Sequence, residues 1–123
     1  WVALWNQEDD SAVNAVVDRV YRSLAPHLEA ERAAARRGLL DDETRDGLAA
    51  TGAFDPVVDE HVPWVDDLTV GHYLARLDTH SGHRLLSGEV RQHVRSALFS
   101  EFGPAETPLR VSYVTSMLSA LRT

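Results

Sequence analysis

The sequence contains no cysteine, which excludes disulfides, thiolate metal sites and a cysteine nucleophile. Lysine is absent too: all 12 basic residues are arginine. That absence, beside abundant Ala, Arg and Asp, matches the codon bias of a GC-rich genome rather than a surface selected for phosphate. With 19 acidic residues the net charge is −7, so no long-range field draws the chain to nucleic acid or to anionic lipid. Neither nucleic acid nor a membrane is expected as a partner. No apolar run approaches the roughly 18 residues that span a bilayer, and no basic stretch followed by an apolar one opens the chain. Nothing favours secretion, and a cytoplasmic location is the expectation. The seven glycines are scattered, so no Gly-rich turn is available to bring backbone against a nucleotide. No segment repeats, and the Ala-rich stretch at 29–37 is too short for a coiled coil.

What is present is enough for one folded domain. A chain of 123 residues with 44% apolar and 25% charged residues can bury a core and is not disordered by composition. The opening Trp1, Val2, Ala3, Leu4 and Trp5 form a dense apolar run that stops at Asn6, Gln7, Glu8, Asp9 and Asp10. A buried strand followed by a polar loop reads this way. A natural domain rarely begins inside a buried strand, so the expectation is that the chain was cut there.

Ser11 is a good N-cap, and Val13, Val16, Val17, Val20, Tyr21 and Leu24 follow at helical spacing. Pro26 either interrupts that helix or opens the next in its first turn. Residues 26–37 are rich in helix formers, with Gly38 as a stop. Asp41 or Asp42 is expected to cap a short helix that Gly52 closes. Residues 54–69 carry Val57, Val58, Val62, Trp64 and Val65 and predict a strand. Pro56 and Pro63 place that strand at a sheet edge or on a bulge. Thr69 caps a helix bearing Val70, Tyr73, Leu74 and Leu77, and residues 78–83 read as a loop. Ser87 caps the last helix, with Val90, Val94 and Leu98 on one stripe and Gly103 and Pro104 as terminator. Residues 109–122 are apolar on both faces, as in a strand covered on each side. This is α/β organisation with three strands, the last of them central.

Several segments together resemble one family, the class I (Rossmann-like) S-adenosylmethionine-dependent methyltransferases. A strand closing on Val2, Ala3, Leu4, Trp5 and Asn6, then an acidic loop and a long helix, is similar to the family's fifth strand. The run Trp64, Val65, Asp66, Asp67, Leu68 and Thr69, the later Thr79, His80 and Ser81, and the segment from Glu89 to Val94 are similar to its C-terminal half. Val114 and Thr115, with Ala120, Leu121 and Arg122, resemble its seventh strand. The resemblance covers nearly the whole chain.

It implies a partial Rossmann-like fold, a three-stranded mixed sheet of the family's strands five, seven and six, flanked by helices. Residues 1–123 would be a single C-terminal fragment, without the half that binds S-adenosylmethionine. The intact parent would transfer a methyl group from S-adenosylmethionine to a small-molecule acceptor, with this part shaping the acceptor pocket. By itself the chain is expected to be inactive and to hold no cofactor, since the Gly-rich turn and the ribose-binding acid lie upstream. Its first strand would have lost a neighbour, so a homodimer through the strand from Trp1 to Trp5 is a possible partner arrangement. The alternative, from another class, is a stand-alone non-catalytic interaction or oligomerisation module.

Candidate site residues carry two readings each. Trp5 and Asn6, at the carboxyl end of a strand taken as parallel, either line a substrate cleft or pack and make a turn bond. Tyr73, Thr79 and Ser81 border one loop and either touch substrate or serve packing and capping. No catalytic and no metal-binding residue is assigned. His72, His80 and His83 are read as ordinary solvated histidines, because zinc needs three or four convergent ligands. Ser81, His83 and Asp78 are the residue types of a triad but lack a nucleophile turn. The pairs Asp9 and Asp10, Asp41 and Asp42, and Asp66 and Asp67 are read as helix-start carboxylates.

Overall fold

The stripe that begins at Val13 folds as helix α1 (Ala12–Leu24), capped by the Ser11 hydroxyl, which accepts from the Asn14 backbone N–H at 3.4 Å. A computed structural model describes residues 1–9 and 11–123 of the chain. Asp10, half of the first acidic pair, lies outside the described residues. Before α1 comes strand β1 (Val2–Glu8), which runs three residues past the end of the apolar run, into the expected polar loop. Pro26 opens helix α2 (Pro26–Arg36), where its missing N–H costs nothing.

Helix α3 (Leu39–Thr51) starts after Gly38, at φ 72°, and ends at Gly52, at φ 62°. Asp41 and Asp42 sit inside its first turn and do not cap it; their backbone N–H groups turn back to the Gly38 carbonyl. Strand β2 (Val58–Thr69) leads into α4 (Val70–Thr79), and the Thr69 hydroxyl caps that helix. The expected loop at 78–83 is instead the end of α4 and a short helix, α5 (Ser81–Leu85). Gly82 lets α5 lie against α2: a Cβ there would meet Leu28 Cδ2 at 2.6 Å. Helix α6 (Gly88–Phe102), capped by Ser87, ends at Gly103, and β3 (Pro108–Ser119) closes the chain.

The strand order is β1-β3-β2. The last strand is central, as its two apolar faces require. Both ladders are antiparallel, so the expectation of a mixed sheet, and of β1 as a parallel strand beside its neighbour, is corrected. A strand inserted antiparallel between two others makes two antiparallel ladders, and among the described residues no parallel pair forms. β1 and β2 nevertheless run in the same direction. β2 is an edge strand, one of the two settings expected from Pro63.

Register sorts the side chains, because cross-strand partners share a face and neighbours along a strand alternate. Glu8, Tyr113 and Trp64 are aligned on one face, with Val111 further along. Against it pack Val17, Tyr21 and Leu28 of α1 and α2, Tyr73 and Leu77 of α4, and Val94 of α6. The opposite face carries Trp5, Ser116 and His61 in register, and the buried Leu118. An Arg45–Asp59 ion pair ties α3 to that second face. Helices therefore flank both sides of the sheet. The end of the first face that holds Val2, Leu4, Val58 and Val62 is exposed. Among the described residues, no helix is long and apolar enough to cross a membrane.

If β3 is the buried centre, its side chains should dominate stability. Leu118 is fully buried and Leu121, three residues on, is 76% exposed. Leu118→Ala is expected to cost about 2–5 kcal/mol, and Leu121→Ala to stay within about 0.5 kcal/mol, as measured by urea unfolding.

Candidate functional site

Glu8 is the residue around which the site is built. Strand alternation turns it inward at the end of β1, where only 8% of its surface is exposed. A buried carboxylate must be met by donors. Two helices supply them. Arg32 of α2 donates from Nη2 to Glu8 Oε2 at 2.9 Å, and the Tyr73 hydroxyl of α4 reaches both carboxylate oxygens at 3.0 and 3.1 Å.

Arg32 is itself held from three sides. Its Nε donates to Asp18 Oδ1 at 2.9 Å, its Nη2 to Asn14 Oδ1 at 2.7 Å, and the guanidinium lies over the Tyr21 ring at 5.5 Å. Arg36, one turn later, meets Asp18 Oδ2 at 2.6 Å. Burial works against the Arg32 charge, and Glu8 and Asp18 overcome it, so its pKa is raised. Burial, reinforced by the Glu8 charge, raises the Tyr73 pKa and keeps it a neutral donor.

A cavity of about 440 Å³ opens over this cluster, within the size range of small-molecule sites. Its floor is the end of β1, with Asn6, Gln7 and Glu8. Arg32 and Arg36 come from α2 and Arg76 from α4, while Trp64 and Tyr113 come from the facing strands. Those two rings are stacked, with centroids 4.6 Å apart and an interplanar angle of 18°. The Tyr113 hydroxyl accepts from Arg76 Nη1 at 3.0 Å, and Asp66 accepts from Arg76 Nη2 at 2.8 Å.

The orientation of Asn6 follows from its neighbours. The Trp64 indole N–H can only donate, and it gives its proton to Thr115 Oγ1 at 2.9 Å. The Thr115 hydroxyl then donates to Asn6 Oδ1 at 2.6 Å, an O–H···O length. That leaves the Asn6 amide hydrogens directed elsewhere.

His80 links this cavity to a second one of about 370 Å³, which also holds Tyr21, Ser81 and His83. Although its ring is exposed, the surrounding protein lowers its pKa below 6.5, chiefly by desolvation. The reading of His83 as solvated is corrected: it is 4% exposed, because α5 turns its ring inward against Tyr21. Its Nε2 is hydrogen-bonded to the Tyr21 hydroxyl, its Nδ1 lies 3.6 Å from Asp78, and burial lowers its pKa.

The residues singled out from sequence are distributed unevenly. Asn6 lines the larger cavity. Trp5 is on the opposite face, half-buried, in register with Ser116. Tyr73 is fully buried beneath the cavity as the Glu8 donor. Thr79 is exposed and donates to the Arg76 carbonyl at 2.7 Å. Ser81 starts α5 and lines the second cavity. The acidic pair Asp66 and Asp67 does not cap a helix: Asp66 binds Arg76 and Asp67 binds Arg110.

Sequence patterns missed Glu8, Arg32, Trp64, Arg76 and Tyr113. Arg32 and Arg36 looked like helix formers, and Glu8 like loop. The one available signal was the alternation of β1, which places Glu8 on the same face as Asn6. A separate cluster of Asp41, Asp59 and His61 brings ligand-type atoms within 4.8 Å on the far side of the sheet. Asp59 and His61 are exposed and Asp41 half-buried, and Arg45 is already paired with Asp59.

No protein-family model matches this chain, and no curated protein matches it in sequence.

The Glu8–Arg32 pair yields a direct test. Arg32→Met leaves a buried carboxylate with Tyr73 alone and is expected to cost about 3–5 kcal/mol. Adding Glu8→Gln removes the stranded charge, so the double variant should be more stable than Arg32→Met, as measured by urea unfolding.

Proposed function

We propose that the chain is the C-terminal, acceptor-pocket-forming part of a cytoplasmic class I S-adenosylmethionine-dependent methyltransferase acting on a small molecule. The observation that carries this reading is the sheet: β3 runs antiparallel between β1 and β2. What the resemblance shares with it is the strand order, five, seven and six, with the last strand in the centre. The cavity supports it further, since it opens over the carboxyl end of β1, where ligands gather in open α/β sheets.

Methyl transfer chiefly requires alignment of the acceptor with the sulfonium, plus a base where the acceptor must lose a proton. The walls described above would provide the alignment. Glu8 is committed to holding Arg32 and Tyr73, from which it accepts hydrogen bonds. His80 stands at the rim, its pKa lowered chiefly by desolvation, and its imidazole is the group there that can take a proton.

The reading is tested on the donor. Titration of the 123-residue chain with S-adenosylmethionine in a calorimeter should give no saturable heat. The longer product of the same reading frame, with its upstream part included, should bind the donor and transfer a labelled methyl group. Micromolar donor binding by the 123 residues alone, or a longer product that binds none, would overturn it.

The alternative of an interaction module draws on one specific feature. Among the described residues the outer edge of β1 has no partner strand, and Val2 and Leu4 beside it are exposed. An unpaired strand edge is a template for another chain, and a two-fold pairing of two β1 strands is the simplest closed solution. Sedimentation velocity should show a dimer that is lost when residues 1–5 are removed; a monomer in both cases rejects this pairing.

A further inference from the structure

The cavity beside Glu8 is lined largely by hydrogen-bond donors. Among the described residues Glu8 is the one carboxylate on its wall, and it accepts from Arg32 and Tyr73. The guanidinium groups of Arg32, Arg36 and Arg76 share that wall. A guanidinium carries five N–H donors. Arg32 uses Nε and Nη2 within the protein, and among the described residues its Nη1 has no acceptor. Arg76 commits Nη1 to Tyr113 and Nη2 to Asp66, and among the described residues its Nε has no acceptor. Asn6 presents amide hydrogens, because its oxygen is already taken by Thr115.

Charge in the surrounding shell is even: Asp18 and Asp66 stand behind the arginines and offset two of them. Selection therefore comes from directed donors in a sheltered site, not from a long-range field. Separate donors on Arg32, Arg76 and Asn6, converging on one cavity, suit an acceptor with two oxygens. Beside them Trp64, backed by Tyr113, forms an aromatic wall onto which a flat ring can extend the stack.

We infer that this cavity binds a planar anionic small molecule, an aromatic carboxylate, which stacks on Trp64 and takes hydrogen bonds from Arg32, Arg76 and Asn6. This deepens the acceptor-pocket reading and rests on it for the fate of the ligand, but binding itself needs no methyl donor. Failure of donor binding in the longer product and failure of ligand binding here are thus separate results.

The three tryptophans give three indole N–H signals in a nitrogen-edited NMR spectrum, and Trp64→Phe identifies the one that matters. Titration with 2-naphthoate should move the Trp64 signal saturably and leave those of Trp1 and Trp5 in place. The neutral isostere 2-naphthamide should bind at least tenfold more weakly, and inorganic phosphate should leave the Trp64 signal unmoved. Arg76→Gln, checked for folding by circular dichroism, should weaken 2-naphthoate at least fivefold with little effect on 2-naphthamide. Asn6→Ala, on the exposed end of β1, provides a second variant with the same expected direction. Equal affinity for the acid and the amide would overturn the anion preference. Absence of a saturable Trp64 shift with both ligands, or the same shift with phosphate alone, would overturn the proposal.

Discussion

The buried carboxylate of Glu8 is the constraint on which the rest of the structure depends. An ionised carboxylate removed from water is costly unless donors replace the water. Here the donors come from helices far apart in sequence, Arg32 on α2 and Tyr73 on α4. Satisfying Glu8 therefore fixes both helices against the end of β1. Arg32 in turn needs Asp18 and Asn14, which fixes α1. One acid thus sets the positions of three helices relative to the sheet, and the cavity is the space left above them.

The second organising element is β3. It hydrogen-bonds to strands on both sides and offers an apolar row to each face. Val111 and Tyr113 go to the large helical core, while Ser116 and Leu118 are buried on the other side. Tyr113 also joins the two organising elements. It stacks on Trp64, accepts from Arg76, and shares a register row with Glu8. The aromatic wall and the polar floor of the cavity are consequently parts of one cross-strand row.

The tertiary structure also changes the meaning of histidine. His83 and His80 are three residues apart, yet one is buried on the inner side of α5 and bonded to Tyr21, while the other stands at the rim between two cavities. Both have lowered pKa values through desolvation. His80 lines both cavities, and His83 lines the second alone.

Local patterns in the sequence determined the helices and the central strand. Ser11, Thr69 and Ser87 cap as their spacing indicates, Pro26 opens a helix, and Gly52 and Gly103 close theirs. Pro63 marked an edge strand and the two-sided apolar run marked the centre. These features depend on neighbours within a turn or on side-chain period, so they can be read along the chain. Only the tertiary structure decided that Glu8 is buried, that Arg32 and Tyr73 serve it, that Trp64 meets Tyr113, and that residues 81–85 are helical. Those outcomes join residues as much as 65 positions apart, and a carboxylate or guanidinium has the same local propensity whether it faces water or a buried partner. Its role is set by what the fold brings to it.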